Sequence, residues 1–300
     1  MTSGEFTRQI GGGTPLWQAA RHLLFRRGEE YGACCAAMLE SFGLEEIHDM
    51  RVSSRRLREA LSLFAPCYDE VTLQRCTREV RKVTRSLGAL RNLDESFLFF
   101  AGLAEELDTP HRLALMPFLM SREAARAPHL TQLARFFEKK RPDRFLDRHR
   151  RRLSCPSLLK SKDGIDPFMP LREFAEIAMK ERHEGLLPLV EPARCVGADA
   201  ARHRLRIALK HYRYRFELFQ PLANARYDRV YRLIKQYQEH LGVLNDLSVF
   251  SDMVTGGLVP QPYMPGVTAA IESMKQGQVR SFLKLLNRRP LALITFPCGE

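Results

Sequence analysis

Apolar residues recur at three- and four-residue spacing along most of the chain, and strict alternation is scarce, so the pattern predicts helices almost throughout. The segment "PLWQAARHLLFRRGEEYGACCAAMLESF" reads as a first helix, with Pro15 in its first turn and Gly43 beyond its end. A second helix covers "HDMRVSSRRLREALSLF" from His48 and stops at Pro66. A long third element runs from about 69 to 106, broken or kinked near Gly88. Pro110 opens a fourth that continues to about 140, and a short basic helix occupies 142–153. Residues 154–170, "SCPSLLKSKDGIDPFMP", are rich in Pro, Ser and Gly and read as a linker. A second helical series follows at roughly 171–189, 199–219, 224–253 and 267–288, with "TGGLVPQPYMPG" between the last two.

The chain repeats itself. "HDMRVSSRRLREALSLF" from His48 matches "HRLRIALKHYRYRFELF" from His203, pairing Arg51 with Arg206, Arg55 with Lys210 and Arg58 with Arg213. Further on, "LGALRNLD" from Leu87 matches "LGVLNDLS" from Leu241 in the same order and at nearly the same offset. Two ordered matches make chance a poor explanation and predict a duplicated helical unit, each copy a bundle of about four helices. The expected organisation is a flexible leader over 1–13, a first half over 14–153, the linker over 154–170 and a second half over 171–300.

At about 100° per residue, His48, Arg51, Arg55 and Arg58 share one side of their helix, and Met50, Leu57, Leu61 and Phe64 form the opposite apolar stripe. The second copy does the same with His203, Arg206, Lys210 and Arg213 against Leu205, Tyr212, Phe216 and Phe219. Glu59 and Glu217 each stand where they would reach an arginine one turn back, too few acids to neutralise the strips. Arg78, Arg81, Lys82 and Arg85 form a third strip before the first "LG" motif, and Arg229, Arg232, Lys235 and Gln236 a weaker fourth. Aligned, the four strips would line one basic channel.

Composition sharpens this reading. A formal net charge of +12 points to an anionic partner: nucleic acid, another polyanion or an acidic membrane surface. Arginine forks match phosphate oxygens, lysine adds a point charge, and histidine donates more readily as pH falls through about 6.5. Single-strand nucleic-acid binding usually adds aromatic platforms. Tyr214 lies near the basic face, but Glu59 holds the matching position of the first copy, so an anion without bases is favoured and nucleic acid is the alternative.

No P-loop, GxSxG or kinase signature appears, and no acidic cluster faces the arginines to hold Mg²⁺, so an enzyme is not expected. A metal would need His48 and His203 to meet each other, or carboxylates such as Asp94 and Asp246, and neither a metal nor another cofactor is expected. Asn92, Asp94 and the Asn245–Asp246 pair are expected to cap helices or orient arginines. His22, His111, His129, His149, His183, His211 and His240 are expected on the surface. Seven cysteines without a CxxC predict free thiols in a reducing compartment, and no apolar run reaches membrane-spanning length, so a cytoplasmic protein without a membrane partner is expected.

Together, "HDMRVSSRRLREALSLF" with "LGALRNLDE", and "HRLRIALKHYRYRFELF" with "LGVLNDLSV", resemble the CHAD family, the conserved histidine α-helical domain, over nearly the whole chain. The resemblance implies an all-α fold of two tandem four-helix bundles related by pseudo-twofold symmetry around a basic central cavity. It implies binding of inorganic polyphosphate, association with polyphosphate granules and, with no room for a triphosphatase-type domain, a stand-alone binder. The residues it carries over are His48, Arg51, Arg55 and Arg58 with His203, Arg206, Lys210 and Arg213. It also marks two departures: Asn92 replaces a usual aspartate, weakening an internal salt bridge, and His211 replaces a frequent arginine.

Overall fold

A computed structural model describes residues 10–140, 144–159 and 164–299. Positions 1–9 of the predicted leader, 160–163 of the predicted linker and the expected helix start at Pro142 lie outside the described residues. The described chain is all-α. Its helices are α1 (Leu16–Ser41), α2 (Leu44–Leu63), α3 (Glu70–Glu106), α4 (Thr109–Lys140), α5 (Phe145–Leu153), α6 (Leu171–Glu184), α7 (Val190–Arg194), α8 (Asp199–Leu218), α9 (Tyr227–Met253) and α10 (Met264–Arg288).

Local chemistry sets the ends of these helices. Pro15 caps α1, and at its far end Phe42, not the glycine after it, takes the left-handed conformation at φ 50°, leaving Gly43 to cap α2. Pro66 follows α2 within a single 3₁₀ turn. Asp69 caps α3, its Oδ1 accepting from the Thr72 backbone N–H at 2.9 Å.

The break expected near Gly88 is absent, and α3 runs as one helix of 37 residues. Leu87 and Leu90 are buried on either side and outweigh glycine's weak helix propensity, about 1 kcal/mol. The glycine serves a close approach instead: a Cβ there would lie 3.4 Å from Nη1 of Arg51 on α2.

Packing follows chain order within each half. Helix α2 lies between α1 and α3, and α3 packs on α4; likewise α8 lies between α6 and α9, and α9 packs on α10. The contact of α2 with α8 joins the halves. The two predicted stripes are buried together, so one core runs through both halves: Met50, Leu57, Leu61 and Phe64 with Leu205, Tyr212, Phe216 and Phe219. Phe174 of α6 bridges the matched phenylalanines, 5.9 Å from Phe64 and 6.4 Å from Phe219 between ring centroids. Each such ring contributes about 1.5–3 kcal/mol by leaving water.

A second apolar cluster ties the α3–α4 hairpin to α9 and α10, with Phe99 stacked on Phe250 at 4.1 Å. The halves are thus held at the α2–α8 seam and again where the α3–α4 hairpin meets α9 and α10. The end of the linker and the residues just after it also pair with the start of the chain: Met169 O accepts from Leu16 N at 2.9 Å, and Arg172 N donates to Gly12 O at 3.0 Å.

His149 departs from its predicted surface position and is buried. It sits where α5 crosses α1 at Gly28, whose missing side chain admits the ring, and its Nε2–H donates to the Leu24 carbonyl at 3.1 Å. Burial of the ring holds it below the ordinary histidine range, and so neutral. All seven cysteines are free, and no described helix is long and apolar enough to cross a membrane.

Candidate functional site

A cleft of about 1620 Å³ opens where α3 faces the α2–α8 seam. Three of the four predicted strips meet in it. Helix α2 contributes Arg51, Arg55 and Arg58; α3 contributes Arg78, Arg81, Lys82 and Arg85; α8 contributes Arg206 and Lys210. Arg91, Arg122, Arg182 and His211, which sequence reasoning did not assign to the site, line it as well. Twelve Lys and Arg side chains therefore face one space with five carboxylates among them.

The five acids are already engaged. Asp69 caps α3, and Glu70 accepts from Gln74 at 2.8 Å. Glu95 accepts from Arg91 Nε at 2.6 Å, and Asp246 accepts from Asn245 at 3.1 Å. Glu59 corrects the sequence expectation. It does not reach back along α2 but crosses the seam, accepting from Arg215 Nε at 2.8 Å and from His211 Nδ1. Glu217 does reach Arg213 one turn back, at 3.5 Å, and also accepts from Arg56 of the other half at 2.7 Å.

Most of the cleft cations are consequently uncompensated. Among the described residues Arg51, Arg55, Arg58, Arg78, Arg81, Lys82, Arg85 and Lys210 form no ion pair. The Nε groups of Arg51, Arg58, Arg122, Arg182 and Arg206 are buried without an acceptor, an arrangement that costs free energy unless something supplies one. Burial pushes Lys210 down to about 7, with the charges of Arg206, Arg55, Arg91 and Arg51 adding to it. Burial and the neighbouring Arg55 and Arg91 bring Arg51 to about 10. Arg58 is lowered by burial and by Arg81, Arg55 and Arg85, and Arg206 by burial, an effect that Asp246 partly opposes. These shifts mark a charge cluster held together at a cost.

Five predicted residues stand outside the cleft lining. His48 and His203 are exposed at the starts of their strips, beyond its mouth. His203 still touches the wall through Asn245, with Nδ1 2.6 Å from Oδ1. Burial, then the charge of Arg91, lowers the pKa of His48. Arg213 turns away to Glu217 and lies 5.2 Å over the Tyr214 ring. Arg232 and Lys235 are exposed on α9, whose basic strip does not join the other three, because the cleft opens along α3 and meets α9 only from the Asn245–Asp246 turn to Met253.

That turn differs between the halves. Asp246 stands 3.9 Å from Arg206, whereas Asn92, its counterpart, leaves Arg51 without a carboxylate. Asp94 instead pairs with Arg126 of α4 at 3.0 Å. The motif thus orients arginines as expected, but it neutralises only one of the two. Among the described residues no group of three or more His, Cys, Asp or Glu is placed to hold a metal ion.

The model of the CHAD domain matches residues 34–255. Among solved structures, the CHAD domain from the plant Ricinus communis superposes with a TM-score of 0.64 at 24% identity, covering 95% of this chain and 91% of that one. PptA from Streptomyces chartreusis superposes with a TM-score of 0.66 at 16% identity, over 92% of this chain and 99% of that one. No curated protein matches the sequence. These likenesses fix the fold, and with a family match across most of the sequence and the paired histidine-and-arginine helices α2 and α8 in one molecule, the chain belongs to the CHAD domain family.

Proposed function

We propose that the cleft binds inorganic polyphosphate and carries out no reaction on it. One observation carries the reading: cations from α2, α3 and α8 converge on a single space with their charges unneutralised and several guanidinium N–H groups lacking acceptors. A chain of phosphates supplies acceptor oxygens at every unit, and Arg forks take them two at a time. The aromatic residues of the lining, Tyr68, Tyr214 and Phe250, are buried, so they offer no open ring face for bases to stack on. Engagement of all five lining carboxylates argues in the same direction against Mg²⁺-dependent phosphoryl transfer. On this reading the protein associates with polyphosphate granules in the cytoplasm.

Competition binding at physiological salt tests the reading against a nucleic-acid-binding adaptor. Polyphosphate is expected to displace single-stranded DNA and RNA of matched charge, with affinity falling steeply as salt rises. If nucleic acid displaces polyphosphate, the adaptor reading replaces this one. Incubation with Mg²⁺ and long-chain polyphosphate is expected to leave the chain length unchanged.

Lys210 gives the binding a pH dependence. In the free protein its charge is lost as pH rises through about 7, and a bound polyanion favours the charged form and raises that value. Affinity is therefore full below about 7 and falls above it by up to about tenfold per pH unit, one proton being taken up on binding. Titrations with long chains, which have few titrating ends, are expected to show this fall, and Lys210→Arg to flatten it. An equal slope in both proteins would remove Lys210 from the site.

A further inference from the structure

Helix α4 is apolar on two faces. Its inner side packs Ala114, Leu115, Leu119, Leu133 and Phe137 into the core. Its outer side shows Leu113, Met116 and Met120 at 63%, 41% and 64% exposure, continued by exposed Pro117 and Ala124. A second apolar stripe gives a helix a second face on which another element can pack. With Leu113 at 0° and about 100° per residue, these five positions fall within about 60° of one line. The stripe extends about 17 Å, at 1.5 Å rise per residue.

Two charged residues border the stripe, Arg112 near 260° and Glu123 near 280°, on the same flank. Neither forms an ion pair among the described residues. In an antiparallel pair of identical helices, same-side flanks face each other. Crossing between Pro117 and Phe118 would set Arg112 opposite Glu123 of the second copy, and Glu123 opposite its Arg112. The same register would seat Leu113 between Met120 and Ala124 of the second copy. A surface that complements itself in charge and in shape is what a twofold dimer requires.

The geometry points to α4 as the homodimer interface of this protein, with a second copy of the chain as its partner. Arg122, which lines the cleft, lies about 180° from the stripe. Dimerisation through α4 therefore leaves both clefts open, and the pair presents two basic sites to one long polyanion. A single helix pair is smaller than the interfaces of permanent dimers, so the association is reversible.

Sedimentation equilibrium without any phosphate tests this separately from polyphosphate binding. The full chain is expected to approach twice its 34.5 kDa as concentration rises through the micromolar range. Met120→Glu, at an exposed position, is expected to hold it at the monomer mass. Arg112→Glu and Glu123→Arg are each expected to weaken association at least about tenfold, because like charges then face each other twice. The double swap, Arg112→Glu with Glu123→Arg, is expected to restore it, which a merely misfolded variant would not do. A monomer at every concentration, a dimer indifferent to Met120→Glu, or a double swap as weak as the single changes would each overturn the assignment.

Discussion

Reversing Arg51 and Arg206 together, as Arg51→Glu with Arg206→Glu, lowers affinity for polyphosphate at least roughly 100-fold and leaves helical content unchanged. The two guanidiniums occupy matched positions on α2 and α8, and each has a buried Nε without an acceptor. Hydrogen bonds to charged partners contribute about 1.5–3 kcal/mol each, so losing two removes roughly 3–6 kcal/mol, and about 1.4 kcal/mol is tenfold in affinity. Reversal goes further, because the new carboxylates sit beside Arg55 and Arg91 and neutralise cations the ligand would otherwise meet. The fold suffers little, since the change relieves repulsion among Arg51, Arg55 and Arg91, and at Arg206 that relief offsets the new carboxylate's approach to Asp246.

The control is Arg232→Glu with Lys235→Glu, which alters net charge equally from exposed positions on α9 outside the cleft. It is expected to cost little beyond a general, salt-screened weakening. Calorimetric titration of both variants, with circular dichroism on each, decides the matter. An equal loss in the two proteins would reduce the interaction to net charge and remove the cleft as the site.

The contrast between these pairs shows what periodicity reveals and what it hides. A helical wheel orients a side chain around its axis, and on that basis Arg51, Arg55 and Arg58 were separable from Met50, Leu57 and Leu61, as the structure has them. The wheel says nothing of depth along the axis. His48 and His203 lie on the correct side of their helices but one turn short of the cleft. Nor does it say which surface a helix face meets: the strips of α3 and α9 have similar periodicity, and only the strip of α3 lines the cleft.

Arg122 and Arg182 come from helices that reach the cleft only through tertiary packing, and nothing in their neighbourhoods sets them apart from ordinary surface arginines. Arg91 carried a signal, standing inside the repeated "LG" motif where the second copy has Asn245. Gly88 was legible as an exception but not as the right one, because the arginine that needs the space belongs to another helix. Sequence thus exposed the charged faces of α2, α3 and α8, while the contacts between helices distant in the chain awaited the fold. Glu59 is the sharpest case, since the arginine within its local reach is not the one it binds.

Replacing Glu59 by Ala is expected to cost about 3–5 kcal/mol of stability, a large fraction of the roughly 5–15 kcal/mol typical of a domain. The Glu59 side chain is only 5% exposed and its partner Arg215 only 8%, across the contact that joins the halves. Removing the carboxylate strands a buried guanidinium, the costly way to break such a pair. Burial raises the pKa of Glu59, but hydrogen bonds from His211 and Arg215 outweigh it, and the net shift is downward. A lowered carboxylate contributes its stability above the unfolded-state value and loses it as pH falls through the folded value. The deficit of Glu59→Ala is therefore expected in full at neutral pH and to shrink in acid. Denaturant unfolding at several pH values measures it, as a lower midpoint with an unchanged slope. Because the same change removes one of five acids from the cleft, the weakened protein is expected to bind polyphosphate at least as tightly as the parent. A variant as stable as the parent at neutral pH would show that the seam does not depend on the Glu59–Arg215 pair, its apolar contacts and the Arg56–Glu217 pair sufficing.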